Sequence, residues 1–152
     1  MRITSYSVEL NGKLNVLVKE NAVNYKTIRL NHAGLITEMV NDIFRLNRKA
    51  EEHVYLIGMD NKCNVIGVFL LSKGCVDASL ITPRDIFVRL CLCGASGFVM
   101  VHNHPSGDTT PSKEDLATTK RVKDCSNLMG LKLLDHIIVG DDYYSFKEKD
   151  IL

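Results

Sequence analysis

The sequence predicts an α+β (mixed α/β) fold, in which a mixed sheet is flanked by helices. Strand-like and helix-like segments are interspersed along the 152 residues, as in a mixed α/β chain. Hydrophobic residues make up 45% of the chain and charged residues 24%, which is enough to bury a core of useful size. We therefore expect a single domain over residues 1–152, with an N-terminal hairpin and helix in 1–50 and a core in 51–152.

The first half is predicted to begin with a β-hairpin around Asn11-Gly12. Alternating segments on both sides of Asn-Gly favour a tight turn whose two central residues have positive φ. A helix is predicted over 31–49, where apolar residues recur at helical spacing and basic residues occupy the last turn. The apolar run 54–59 predicts a strand, and 65–71 predicts its return strand.

The second half is predicted to place two helices around a short buried strand. Thr82 is a suitable N-cap for a helix that starts at Pro83. The predicted elements are a helix over 83–93, a strand over 97–101 leading into His102, a helix over 112–129 with apolar Leu116, Val122, Leu128 and Met129, a stop at Gly130, a strand over 131–139 and a turn at Asp141-Asp142.

Charge and cysteine content exclude several functional classes. Nineteen Lys and Arg against eighteen Asp and Glu give a net charge of +1, so composition offers no electrostatic argument for binding nucleic acid or anionic membrane. No apolar run is long enough for a membrane span and no signal peptide is visible, so we expect a cytoplasmic protein. The five cysteines form no C-x-x-C pair; Cys91 and Cys93 are expected in the core, and all five as thiols.

Three residues form a candidate metal site. His102 and His104 are two apart at a strand end, so alternation directs both imidazoles to one face. Asp115 lies in the first turn of the next predicted helix, where the helix dipole favours a carboxylate. Two histidines, one carboxylate and a fourth position for water are the pattern of a catalytic zinc site, and one zinc ion per chain is the expectation.

Each of these residues also has a plain structural interpretation. Ser112 and Asp115 are spaced as a capping box, a role that suits Ser112 but leaves the Asp115 carboxylate pointing in two directions. His136 is the rival ligand, although its apolar neighbours favour a packed residue or one that supports a ligand from behind.

The pattern His102-x-His104-Pro-x6-Ser112-x2-Asp115 resembles the signature of the JAB1/MPN/Mov34 metalloenzymes, the JAMM motif. His-Asn-His-Pro-Ser-Gly followed by Pro-Ser-x-x-Asp is similar to the RadC-like branch of that family. The segments Pro83-Arg84-Asp85-Ile86-Phe87, Leu134-Asp135-His136-Ile137-Ile138 and Tyr144-Ser145-Phe146 also resemble that branch. The resemblance runs from about Glu52 to the C-terminus.

The resemblance implies a JAB/MPN-like (cytidine-deaminase-like) fold and a glutamate that acts as general base. Glu51 and Glu52 are both available, and the branch's spacing to an aspartate that closes the strand, here Asp60, selects Glu52. Ser112, at the start of the helix that supplies Asp115, is expected to stabilise an oxyanion. RadC proteins usually carry an N-terminal helix-hairpin-helix-like segment, which residues 1–48 do not resemble.

Three functions follow from these observations. The first is a zinc-dependent hydrolase of peptide or isopeptide bonds, whose substrate is a protein or peptide. The second is an accessory of DNA repair, recombination or mobile elements, with nucleic acid as a partner by family association only. The third is a binding module that has kept the fold without the activity, which the complete set of ligands and base disfavours. The sequence leaves the substrate and the oligomeric state open.

Overall fold

The computed structural model describes residues 1–26, 29–74 and 81–152. Its elements, in order, are β1 (Arg2–Asn11), β2 (Leu14–Asn24), α1 (Ala33–Phe44), a 3-10 turn (Leu46–Arg48), β3 (His53–Met59), β4 (Val65–Lys73), α2 (Pro83–Cys93), β5 (Gly97–Asn103), α3 (Lys113–Leu128), β6 (Lys132–Val139) and β7 (Tyr143–Ser145). The predicted mixed α/β architecture, with a mixed sheet and helices beside it, is confirmed.

All strands of the described chain join one sheet in the order β2-β1-β4-β3-β5-β6-β7. The pairs β1–β4 and β5–β6 are parallel, and the other neighbouring pairs are antiparallel. The N-terminal hairpin therefore extends the same sheet through β1. The parallel pair β5–β6 is connected across α3, which places that helix beside the end of β5.

Alternation along the central strands separates two apolar layers. Ile57 and Val99 face the layer that contains α1, whereas Phe98 and Met100 face the layer that contains α2 and Val122 of α3. Continuing the alternation from Met100 places His102 on the face covered by α2 and α3. The candidate site therefore lies at the end of β5, under the start of α3.

The hairpin turn differs by one residue from the prediction. Asn11 pairs with Leu14, so Gly12 and Lys13 are the central residues, and of these only Gly12 has positive φ, at 64°. Glycine at the first central position is the pattern of a type II′ turn. Its twist matches that of the flanking strands, as the twist of the predicted Asn-Gly turn would also have done.

Helix α1 is shorter than the predicted 31–49. His32 caps its start through Nδ1, and Arg45 ends it in the left-handed region at φ 53°. The chain then forms the 3-10 turn that buries Leu46, so Arg48 and Lys49 lie beyond the helix instead of in its last turn. Tertiary burial of Leu46 outweighs the helical periodicity here.

Helix α2 has the predicted bounds, and the Thr82 side chain accepts a hydrogen bond from the backbone N–H of Asp85. The expectation that Cys91 is a core residue is wrong: the buried face runs through Ile86 and Leu90, and Cys91 is exposed. Cys93 is half-buried against the core. The described cysteines are free, and Cys75 lies outside the described residues.

Helix α3 is less apolar towards the sheet than its sequence suggests. Of its predicted apolar residues Val122 is buried, whereas Leu116, Leu128 and the capping residue Met129 are exposed. Thr118, Thr119 and Ser126 are buried instead. Two of these residues face the polar site: Thr118 lines its cleft, and Thr119 Oγ1 lies 2.6 Å from His136 Nδ1.

Within the described ranges, no helix is long and apolar enough to cross a membrane.

Candidate metal centre

The three predicted ligands converge. The Nε2 atoms of His102 and His104 are 3.1 Å apart. His102 Nε2 lies 3.2 Å from Asp115 Oδ1, and His104 Nε2 lies 3.4 Å from Asp115 Oδ2. One ligand atom from each residue lies within 4.8 Å of the others, so these residues form a possible metal-binding group.

The donor chemistry of this group fits a divalent cation. His104 Nδ1 lies 2.7 Å from the carbonyl oxygen of Asp108, which can only accept, so this nitrogen donates and Nε2 is the atom turned to the group. Two imidazole nitrogens and a carboxylate oxygen that face one another call for a positive charge between them. Nitrogen and oxygen ligands of this kind suit zinc and also other divalent metals.

Asp115 combines the two roles that the sequence analysis set against each other. Its Oδ2 accepts hydrogen bonds from the Ser112 backbone N–H at 2.8 Å and from Ser112 Oγ at 2.7 Å, while Ser112 Oγ accepts from the Asp115 N–H. This completes the capping box and leaves Oδ1 facing His102. The expected conflict is absent because Oδ2 accepts the capping hydrogen bonds and still faces His104, while Oδ1 is left for His102.

Protonation follows from these contacts. Burial raises the pKa of Asp115, but hydrogen bonds with His102, His104 and Ser112 outweigh burial, so the pKa lies well below its usual range. The hydrogen bond to Asp115 is also the main cause that raises the pKa of His104. The Asp115 carboxylate is therefore ionised, and the group attracts a proton or a cation.

His136 lies directly behind His102. Its Nε2 is 2.9 Å from His102 Nδ1, and its Nδ1 is 2.6 Å from the hydroxyl of Thr119. The ring also stacks on Phe146, with centroids 4.8 Å apart. Burial holds the pKa of His136 well below its usual value, so the imidazole is neutral. The structure thus places His136 behind a ligand and outside the group itself.

The loop that carries His104 is held by the turn between β6 and β7. The His104 N–H donates to the Val139 carbonyl at 2.8 Å, and the Asp141 N–H donates to the Gly107 carbonyl at 2.9 Å. A Cβ on Gly140 would lie 2.2 Å from the Gly107 carbonyl oxygen. Glycine at position 140 is therefore what allows the loop to approach this closely.

Glu52 and Ser112 line the same cleft as the three converging residues. The cleft has a volume of about 590 Å³, and Val54, Ile81 and Met100 contribute apolar lining. Glu51 is directed elsewhere, since its Oε2 lies 3.1 Å from where a Cβ on Gly74 would be.

Two buried polar residues near the site, Asn103 and Thr119, were not predicted from the sequence. Asn103 follows His102 in the sequence, and its side chain is buried. Its Oδ1 accepts a hydrogen bond from the His53 N–H at 2.8 Å, and its Nδ2 donates to the carbonyls of Lys49 and Glu51. It thereby attaches the segment that carries Glu52 to the strand that carries the histidines. Thr119 is the other, and its sequence signal is only its position one helical turn after Asp115.

Comparison with known proteins agrees with this geometry. Residues 30–151 match the RadC-like JAB domain. The chain is 40% identical over 126 residues to a UPF0758 protein of Clostridium perfringens, covering 82% of this chain and 55% of the relative. It is 43% identical over 122 residues to a UPF0758 protein of Thermotoga maritima, covering 75% and 55%.

The chain belongs to the RadC-like JAB domain family, as the JAMM-type resemblance predicted. The match begins at residue 30, so it includes α1 as well as the region from Glu52 onward. The chain spans about half the length of these curated relatives. Together with the convergent His102, His104 and Asp115, membership indicates a metal-dependent protein of the JAB fold.

Proposed function

We propose that this chain is a zinc-dependent hydrolase that cleaves peptide or isopeptide bonds. The observation that carries the proposal is that Glu52 lines the cleft into which His102, His104 and Asp115 converge. Zinc bound there would supply a Lewis acid that lowers the pKa of a water molecule towards ~7.

Glu52 serves as the general base and acid in this proposal. Its carboxylate accepts a proton from the attacking water and delivers that proton to the leaving amine. The Ser112 hydroxyl donates a hydrogen bond to the oxyanion that forms on the scissile carbonyl. Without substrate, the same hydroxyl donates a hydrogen bond to Asp115 Oδ2. The Ser112 backbone N–H also donates to Oδ2, and that hydrogen bond would remain when the hydroxyl turns to substrate.

Charge in the cleft favours a peptide over a nucleic acid. Glu52 and Glu114 both line it and are not among the proposed zinc ligands, so their carboxylates would repel a phosphate backbone. A DNA accessory role is the alternative, and a DNA affinity that falls steeply with salt, without any peptide cleavage, would support it instead.

The test compares Glu52→Gln with Glu51→Gln. Metal content and cleavage of a peptide library are measured on the same preparations. We expect one zinc per chain in both variants, near-complete loss of cleavage in Glu52→Gln, and parental cleavage in Glu51→Gln. The reverse pattern would reassign the base, and a parent that holds zinc but cleaves nothing would refute the hydrolase.

A further inference from the structure

A chain of buried hydrogen bonds connects His102 to Asp115 from behind the metal-binding group. Met100 of β5 pairs with His136 of β6, so His136 shares the sheet face of His102. The chain runs from His102 Nδ1 to His136 Nε2, then from His136 Nδ1 to Thr119 Oγ1, and ends at the backbone carbonyl of Asp115, 2.6 Å from Thr119 Oγ1. His136 and Thr119 are 2% and 4% exposed, so water does not compete for these bonds.

The direction of every bond in this chain follows from its carbonyl end. The Asp115 carbonyl has no proton to offer, so a 2.6 Å contact requires the Thr119 hydroxyl to donate to it. A hydroxyl has one proton, and Thr119 Oγ1 must therefore accept from His136 Nδ1–H. His136 is buried, and its ring nitrogens contact Thr119 and His102 and no carboxylate among the described residues, so it carries one ring proton. With that proton on Nδ1, Nε2 has a lone pair and accepts from His102 Nδ1–H.

We propose that Thr119 and His136 are positioning residues that hold the ring proton of His102 on Nδ1, so that Nε2 is kept for the metal. The proposal rests on metal binding at the proposed site, and it does not require hydrolysis. The backbone carbonyl of Asp108 does the same for His104. One ligand is thus set by a surface loop, and the other by a buried relay of Thr119 and His136.

The relay matters because a histidine has two neutral tautomers. With the proton on Nε2, His102 would donate to Asp115 Oδ1, which lies 3.2 Å away, and that bond would have to break before a metal could bind. Donation of the other ring N–H to a protein acceptor is the usual way in which proteins orient a metal-binding histidine. The relay ends on the main chain of Asp115, so it also fixes the His102 ring relative to the helix that carries the third ligand.

Three substitutions separate the relay from general packing. Thr119→Val preserves shape and removes the hydroxyl, whereas Thr119→Ser retains it. Thr37→Val is the matched control, since Thr37 is buried on α1 and its hydroxyl has no hydrogen-bond partner within the described ranges. Zinc affinity is measured by competition with a chromophoric chelator, and the ring protons of His102 and His136 are located by two-bond ¹⁵N–¹H NMR.

We expect Thr119→Val to weaken zinc binding by about 10- to 100-fold, while Thr119→Ser and Thr37→Val bind like the parent. In the parent, NMR should find His136 protonated on Nδ1 with and without zinc, and His102 protonated on Nδ1 in the zinc-bound protein. Parental affinity in Thr119→Val would overturn the proposal, as would an Nε2 proton on His136. The NMR measurement needs no substitution, so it tests the relay even where a variant fails to fold, and a parent that binds no zinc would also overturn the proposal.

Discussion

At the scale of single residues, Asp115 joins helix capping to the candidate metal site. Oδ2 completes the capping box with Ser112, and Oδ1 faces His102. The capping hydrogen bonds thus orient the Asp115 carboxylate without a bound metal. Loss of the Ser112 hydroxyl should therefore affect both the stability of the helix start and the proposed reaction. The Ser112 backbone N–H would still hold the Asp115 carboxylate in place.

Ser112→Ala should keep zinc, lose about 1 kcal/mol of stability through the missing cap, and lose about 10²–10³ in turnover through the missing oxyanion donor. Zinc is retained because Asp115 Oδ2 still accepts the backbone N–H of residue 112. Thr82→Ala is the matched control, since Thr82 caps α2 in the same way outside the cleft lining. Equal turnover in the two variants would show that Ser112 acts only as a cap.

Asn103→Ala should lower both stability and kcat while zinc content stays at one per chain. The substitution removes the partner of the His53 N–H and of the Lys49 carbonyl, and it leaves the Glu51 carbonyl with His53 Nδ1 alone, at about 2–3 kcal/mol. It also frees the segment that positions Glu52, so we expect kcat to fall by about 10- to 100-fold with little change in KM. A variant that melts earlier but keeps the parental kcat would show that Asn103 only supports the fold.

The convergence of the three candidate ligands could be predicted from sequence because they are close along the chain. His102, His104 and Asp115 lie on one strand end and the next helix start, where local periodicity fixes their faces. Asn103 and Thr119 could not be assigned, since their partners depend on how β5, β6 and the 49–53 segment meet in space.

At the scale of elements, the loop after β5 is shaped by the turn after β6. A hydrogen bond from the Asp141 N–H to the Gly107 carbonyl joins the two segments. They approach so closely at Gly140 that a side chain at that position would overlap the Gly107 carbonyl. His104 therefore owes its position to β6–β7 as much as to its own strand.

Gly140→Ala should lower stability by about 1–3 kcal/mol through steric overlap and should weaken zinc binding as the His104 loop is displaced. Gly34→Ala on α1 is the control, because its Cβ would meet neighbours at ordinary distances of 3.4 Å and more. That variant should gain about 0.5–1 kcal/mol from helix propensity. Thermal unfolding and zinc titration of both variants check the prediction, which fails if Gly140→Ala binds zinc as tightly as Gly34→Ala.

Element positions were more predictable than element ends. Caps with local side-chain chemistry, such as Thr82 and Ser112, matched the sequence analysis. The end of α1 did not, because burial of Leu46 decides it. The exposure of Leu116 and Leu128 could not be predicted either, since it depends on which face of α3 is turned towards the sheet.

At the scale of the whole molecule, the candidate ligands come from β5 and α3, and their arrangement depends on the fold. A metal that binds only the folded chain stabilises it by about 2.7 kcal/mol at a free concentration 100 times its Kd. For a chain of this size we expect Tm to rise by about 5–10 °C with zinc and to fall again with a chelator. His104→Ala should melt at the same temperature with and without zinc, and a zinc response in that variant would place the site elsewhere.

The residues that line the cleft differ in their separation along the chain. The span from His102 to Asp115 is short, whereas Glu52 joins β5 only when the antiparallel pair β3–β5 closes a loop of about fifty residues. Loop-closure entropy rises with loop length, so the ligand half assembles at the lower entropic cost during folding. Under the proposed function, a partly folded chain would therefore bring His102, His104 and Asp115 together before Glu52 reaches them. Such a chain would remain without the proposed activity until β3 and β5 pair.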